Sequence, residues 1–413
     1  MVTLKLSPAE VASQLSHLPG LVFIDSSGNL SDLDDNPISI ITVDPVKIIK
    51  GNHMDFSEIR LATAGYEFIC DEVTENEIAG LPYGGAFGWI DYDGKFCFGV
   101  YESCLIYAHE RKQWYEVGNV ISRLRASPEV NFRVSGFCSH TTKDEYIKGV
   151  EKIKEYINSG DIYQVNLTQK FSAEVKSGFM FSLYDSLRQV APAPMSAYIN
   201  LSDREVLSSS PETFLKMCGK HIETKPIKGT RPRYDDTLKD EISAQDLLDS
   251  VKEKSELIMI TDLERNDLGK VCEYGTVNVD TMLQLEKLEH VYHLVSKVSG
   301  ILRDDVDHWQ AVHECFPGGS ITGAPKKRAM EIIEELEKEK RGLYTGVIGY
   351  VGFNDVSQFN IVIRTLVREG EMLHYHVGAG IVADSDPLAE YEETIHKAKG
   401  IRRALAENTK SRF

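Results

Sequence analysis

Lys228 lies in Glu223-Thr-Lys-Pro-Ile-Lys-Gly-Thr-Arg-Pro-Arg233, held between an isoleucine and a glycine–threonine turn. Most lysines are solvated. Here one neighbour is apolar, and the other is a glycine that lets backbone approach a ligand closely. That setting suits a lysine used for its amine. An amine must shed its proton to attack carbon, and partial desolvation favours that state. The same segment also fits a strand end whose lysine head group simply reaches water. Glu212 precedes it in Ser210-Pro-Glu-Thr213. A hairpin turning at Cys218-Gly219-Lys220 would lay the two segments side by side, where a buried carboxyl could protonate a departing hydroxyl. The plainer reading is a glutamate ending a strand after Pro211.

Glu256 and Glu393 fall on two separate predicted helices. Mg²⁺ takes few carboxylates and completes its shell with waters or substrate oxygens. Spacing alone does not bring the two glutamates together. Lys252 and Lys397 stand at i,i+4 from them, so both also fit surface ion pairs. Arg364, in Asn360-Ile-Val-Ile-Arg-Thr365, is an arginine in an apolar strand. It needs a carboxylate, supplied by a substrate or by an internal salt bridge. His290 and His293 resemble a metal pair, but no third nitrogen or sulfur ligand is evident.

Several further segments join Pro226-Ile-Lys-Gly-Thr230. They are Gly84-Gly-Ala-Phe-Gly-Trp89, Asp161-Ile-Tyr-Gln-Val-Asn-Leu167, Asp262-Leu-Glu-Arg-Asn-Asp-Leu-Gly269, Phe316-Pro-Gly-Gly-Ser-Ile-Thr-Gly-Ala-Pro-Lys326, Gly378-Ala-Gly-Ile-Val382 and Glu390-Tyr-Glu-Glu-Thr394. In this order they resemble the chorismate-utilising enzyme family, which includes aminodeoxychorismate synthase component I, anthranilate synthase component I and isochorismate synthase. The lysine-bearing signature is that of the aminodeoxychorismate synthase branch. Anthranilate synthases normally carry a small residue where Lys228 stands, since a lysine would fill the space in which ammonia reaches C2.

The resemblance implies a set of roles. Lys228 would be the nucleophile and Glu212 the acid, with His293 beside them. Glu256 and Glu393 would bind Mg²⁺. Gln164, Arg364, Lys397, Tyr344, Gly229, Thr230 and the backbone of Gly378 and Gly380 would contact chorismate. Gln164 stands where isochorismate synthases carry a base lysine. Glutamine is no general base, which argues against water activation. Phe23-Ile-Asp-Ser-Ser27 and Pro194-Met-Ser196 resemble the walls of the family's tryptophan pocket, through Ser26, Pro194, Met195 and Ser196, in altered form. The expected reaction is amination of chorismate at C4, for p-aminobenzoate and folate synthesis. The alternatives are anthranilate formation and a non-catalytic chorismate- or tryptophan-binding homologue. No extension long enough for a fused glutaminase is found, so a separate glutamine amidotransferase is the expected ammonia source.

The 413 residues suffice for one large domain or two. A net charge of −17 disfavours nucleic acid and anionic lipid, so an anionic substrate would need local cations or a metal. Seven cysteines without a Cys-x-x-Cys pair suit reduced cytoplasmic thiols. No run approaches the roughly 20 apolar residues of a membrane helix, and the N-terminus lacks a secretory pattern.

These residues need elements to position them. Residues 1–138 read as a β-rich region with turns at Asp93-Gly94 and Asn29, and 139–413 as the chorismate-binding region. Thr142 and Glu145 form a capping-box pattern with Ile147, Val150, Ile153 and Ile157 behind it, and Gly160 suits the helix stop. Tyr163, Val165 and Leu167 alternate with Gln164, Asn166 and Thr168 along a strand. Residues 246–268 read as one helix with Leu247, Val251, Leu257, Ile260 and Leu263 inward. Pro325 opens another, after a Gly-rich loop whose N–H groups could face an anion. Leu373, Tyr375 and Val377 alternate into Gly378, and Asp386-Pro387 starts a helix running nearly to the terminus. The predicted class is α+β, and the resemblance implies two face-to-face sheets with outer helices and a cleft between them.

Overall fold

The computed structural model describes residues 1–26, 37–66, 80–127 and 131–410, with side chains to 406. Two largely antiparallel sheets form the body. In the first, Gln164–Ser177 pairs with Met372–Ile381, followed in order by Thr365–Glu369, Arg204–Ser208, Ser196–Leu201, Val22–Asp25, Ile38–Thr42, Cys104–Ala108 and Gln113–Val117. The second runs from Ile227–Pro232 through Val291–Ile301, His221–Lys225, Thr213–Cys218, Val356–Ile361, Val347–Gly352, Gly85–Ile90 and Phe96–Tyr101 to Lys47–Gly51. Strands from before residue 138 therefore enter both sheets. Val22–Asp25 pairs with Ser196–Leu201, and Gly85–Ile90 with Val347–Gly352.

Period-two alternation gives each sheet two apolar faces. The inner faces meet through Ile24, Ile40, Ile199 and Val206 of the first sheet and Phe87, Trp89, Ile348 and Tyr350 of the second. Helices cover the outer faces. Val251–Val271 and His308–Cys315 pack Leu268, Val271, Trp309 and Val312 against the second sheet. Met180–Val190 and Lys399–Lys410 cover part of the first, whose Tyr375 and Val377 lie in the same apolar cluster as Leu183 and Ile401. Lys143–Asn158 and Lys326–Leu336 cover Val165, Leu167, Ala379 and Ile381. No described helix is long and apolar enough to cross a membrane.

The local signals at 142–160 act as expected. The reciprocal capping box of Thr142 and Glu145 opens the helix, and Gly160 follows it at φ +79°. Gly94, at φ +82°, turns the Gly85–Ile90 and Phe96–Tyr101 hairpin. The Asn29 turn lies outside the described residues. The expected 246–268 helix is instead two, Thr237–Asp249 and Val251–Val271. Ser250 breaks the run, because its hydroxyl caps the second helix by accepting from Glu253 N. Val251 is thereby first in a new helix and 76% exposed, not inward. The C-terminal helix likewise divides at Ala398.

Candidate active site

A cavity of about 600 Å³ opens between the sheets. Asn166, Gly378 and Gly380 line it from the first sheet, and Lys228, Thr230 and His293 from the second. Glu253 and Glu256 reach it from one helix, and Glu390, Glu393 and Lys397 from another.

The hairpin expected at Cys218-Gly219-Lys220 is present, with Thr213–Cys218 antiparallel to His221–Lys225. Ile227–Pro232 then pairs with Val291–Ile301, and the register slips between Lys228 and Thr230. Gly229 makes that slip at φ +71°, where a Cβ would lie 2.6 Å from Leu247 Cδ1. Only glycine holds this bulge without strain. Half-buried Lys228 points its Nζ at Ser320 O, 3.4 Å away, and both residues line the cleft. Glu212 is buried beside it, and its Oε1 has no hydrogen-bond partner. Burial pushes its carboxyl above the usual range, against the opposing charges of Lys228 and Arg364.

Arg364 sits where the chain crosses from Val356–Ile361 in one sheet to Thr365–Glu369 in the other, at φ +49°. The expected mid-strand arginine is thus a crossover arginine. Among the described residues it forms no salt bridge, so the internal-pair alternative is not realised. Burial pulls its pKa down, and the carboxylate of Glu212 opposes that. His293 is buried, with Nδ1 3.1 Å from Thr230 Oγ1 and Nε2 unpartnered. Burial, aided by Arg364, lowers its imidazole to about 4, so it is neutral at physiological pH.

Both i,i+4 ion pairs form, and their glutamates still face the cleft. Lys397 Nζ lies 2.8 Å from Glu393 and donates to Gly378 O at 3.1 Å. Lys252 stands 4.0 Å from Glu256 and 3.5 Å from Glu390, joining the two helices. Burial raises Glu256 against Lys228 and Lys252. Burial acts on Glu393 too, but Lys397, Lys252 and Lys228 hold it below the usual range. Among the described residues no three His, Cys, Asp or Glu side chains converge as a finished metal centre. Glu256 Oε1, buried and without a hydrogen bond, and the all-oxygen donor set fit a hard cation completed by water and substrate oxygens.

Glu253 and Glu390 were missed. Each stands one turn before a named glutamate, and the repeated Glu-x-x-Glu on two helices was the available signal. His376, which stacks on Tyr344 at 5.1 Å, and Ser320 were missed as well. Gln164 is not brought to the cleft wall. It lies behind Gly380, where a Cβ would meet its Nε2 at 2.2 Å. Asn166, two residues on along the same face, lines the cleft instead. A second cavity of about 250 Å³ gathers Ser26, Pro194 and Met195 with Ile24 and Leu81. Ser196 is buried in strand pairing with Asp25, away from that lining.

The fold and this cleft define a class. A family model described as chorismate binding enzyme matches residues 108–403, and the chain belongs to that family. It is 48% identical over 269 residues to the aminodeoxychorismate synthase component 1 of Bacillus subtilis, across 65% of this chain and 57% of that protein. It is 45% identical over 280 residues to an anthranilate synthase component 1 of Haloarcula marismortui, across 68% and 57%. The chain thus matches little more than half the length of either. With the aminodeoxychorismate synthase component 1 of Salmonella typhimurium, identity is 33% across 95% of this chain and 94% of the relative. The crystal structure of anthranilate synthase component I from Streptococcus pneumoniae superposes with a TM-score of 0.78 at 28% identity, over 90% of this chain and 93% of that one. The menaquinone-specific isochorismate synthase of Escherichia coli shares the fold, with a TM-score of 0.78 at 17% identity over 98% and 92%.

Proposed function

We propose that this chain converts chorismate and ammonia to 4-amino-4-deoxychorismate, a precursor of p-aminobenzoate and folate, through a covalent adduct on Lys228. The observation that carries this reading is an amine and a buried, pKa-raised carboxyl side by side in one cleft. In the first step the Lys228 amine forms a bond to C2, both ring double bonds shift (C1=C2 to C1=C6 and C5=C6 to C4=C5), and the C4–oxygen bond breaks. Glu212 gives its proton to the departing hydroxyl. In the second step ammonia bonds to C4, both double bonds return to their first positions, and the C2–Lys228 bond breaks. Dividing one difficult displacement into two lowers each barrier.

Arg364 and Lys397 would hold the substrate carboxylates, and Tyr344, Thr230, His293 and the Gly378–Gly380 backbone would shape the ring site. Glu256 and Glu393 would hold Mg²⁺, which when bound would neutralise a substrate carboxylate between the two helices. Ammonia is assigned to a separate glutamine amidotransferase, because none of the seven cysteines lies in a Gly-x-Cys-x-Gly turn. The free thiols of Cys97, Cys104, Cys272 and Cys315 support a reducing, cytoplasmic setting. The anthranilate-forming reading is favoured by relatives bearing that name. Lys228, standing where ammonia would approach C2, weighs against it. Product identification by chromatography after incubation with chorismate, Mg²⁺ and ammonium tests the choice. 4-Amino-4-deoxychorismate is expected, and anthranilate as the main product would overturn it.

A further inference from the structure

Glu264 stands on the Val251–Val271 helix, two turns beyond Glu256, and is 4% exposed. It does not line the cleft. Its Oε1 accepts a hydrogen bond from Gly319 N at 3.1 Å. Its charged neighbours are Asp267 on its own helix, Lys326 at the start of the Lys326–Leu336 helix, and Glu212 from the hairpin, with the Cys315 thiol also close. Lys326 is shared. Its Nζ contacts Asp267 Oδ2, Pro317 O at 2.6 Å and Cys315 O at 3.0 Å.

Glu264 thus acts on the 317–321 loop at one atom, Gly319 N. The same loop is fixed further along, where Arg341 Nη1 and Asn166 Nδ2 donate to Ile321 O at 2.9 and 3.1 Å. Ser320 lies between these clamps, and its carbonyl receives the Lys228 amine. The loop packs tightly on the helix. A Cβ at Gly319 would fall 2.5 Å from Leu263 Cδ2 and 3.1 Å from Glu264 Oε1. A buried carboxyl is an unfavourable way to fill core space, and an apolar side chain would pack there at less cost. An N–H bond to a carbonyl aims the remaining lone pair of an amine, so the position of Ser320 O sets the direction of attack.

We propose that Glu264 is a positioning residue: by holding Gly319 N–H it seats the Ser320 carbonyl against Lys228 and orients the amine. This rests on the reading of Lys228 as the reacting group. Three proteins test it: wild type, E264Q and E264A, each first shown folded by circular dichroism. Two quantities are measured. One is kcat and KM for chorismate with ammonium. The other is the rate at which acetic anhydride labels Lys228, followed by peptide mass spectrometry without substrate.

In E264A the loop loses its acceptor. kcat should fall about tenfold or more with KM changed by about twofold at most, and Lys228 labelling should change against the other lysines. In E264Q the amide oxygen still accepts from Gly319 N–H, so both quantities should return to within about threefold of wild type. E264A with wild-type kcat and labelling would overturn the proposal. So would E264Q as impaired as E264A, since the acceptor alone would then not explain the effect. Labelling reads the loop without any turnover. A product other than 4-amino-4-deoxychorismate, with labelling as expected, would therefore strike the proposed reaction and leave Glu264 standing.

Discussion

Replacing Glu264 with glutamine should make the protein more stable in mild alkali and leave it unchanged in acid. Burial raises this carboxyl to about 7 from an ordinary 4.5, against the opposing charge of Lys326, while Asp267 and Glu212 add to the rise. The sign follows from linkage. The folded value lies above the unfolded one, so between pH 4.5 and about 7 the native state holds a proton that the unfolded chain has released. Stability therefore falls as pH rises through that window and levels off above it. At about 1.4 kcal/mol for each pH unit, the cost at pH 8 is about 3 kcal/mol. Glutamine keeps the acceptor for Gly319 N and carries no charge to bury. Lys326 keeps Asp267 and its two carbonyls. An unfolding entropy scaling with length makes 3 kcal/mol about 3–4 °C in a chain of this size. The assay is Tm by differential scanning fluorimetry or calorimetry at half-unit steps from pH 4.5 to 8.5, plotted as E264Q minus wild type. The curve should start near zero and rise to about 3–4 °C by pH 8. A difference independent of pH, or one that falls with pH, would refute the reasoning.

Glu256→Gln and Glu393→Gln should each raise the Mg²⁺ concentration for half-maximal activity by about tenfold or more, because a neutral amide is a poor ligand for a hard cation. Unchanged half-saturation in both would reduce them to partners of Lys252 and Lys397. Gly380→Ala should lower activity and Tm together, since its Cβ would meet buried Gln164 Nε2 at 2.2 Å behind the cleft wall. Overpacking of this kind typically costs about 1–3 kcal/mol, read by thermal melt, and an unchanged melt would show that Gln164 swings aside freely. Ammonium should support turnover by the isolated chain and glutamine should not; sustained glutamine-driven product, with contaminating amidotransferase excluded, would contradict the two-subunit reading.

Signals confined to one turn or one hairpin were legible in the sequence. The Thr142–Glu145 box and the Gly219 hairpin that brings Glu212 to Lys228 both depend on contacts close in the chain, whereas the glycine bulge at 229 is set by pairing with Leu294 and His293. Ser250 shows the limit. Apolar spacing runs through it, and a side-chain cap ends one helix and starts the next. The strand at 164–168 offered two amides on one face. Which of them meets the cleft is decided by Gly380 on the neighbouring strand, a contact remote in sequence. Arg364 was legible as an arginine in need of a carboxylate but not as a crossover residue, because sheet membership changes within four positions and apolar character does not. Glu264 lies in the Asp262–Gly269 segment that carries the resemblance, yet nothing local marked its role, since its partner Gly319 comes from a distant loop.

The central claim is that Lys228 bonds to the substrate. The direct test is the mass of the Lys228 peptide after the protein is mixed with chorismate and Mg²⁺ in the absence of ammonia, quenched in acid and digested. A peptide heavier by chorismate less one water is expected, absent from Lys228→Ala, with added ammonium discharging it to 4-amino-4-deoxychorismate. An unmodified Lys228 peptide throughout, together with a folded Lys228→Ala protein that still makes 4-amino-4-deoxychorismate at the wild-type rate, would contradict it.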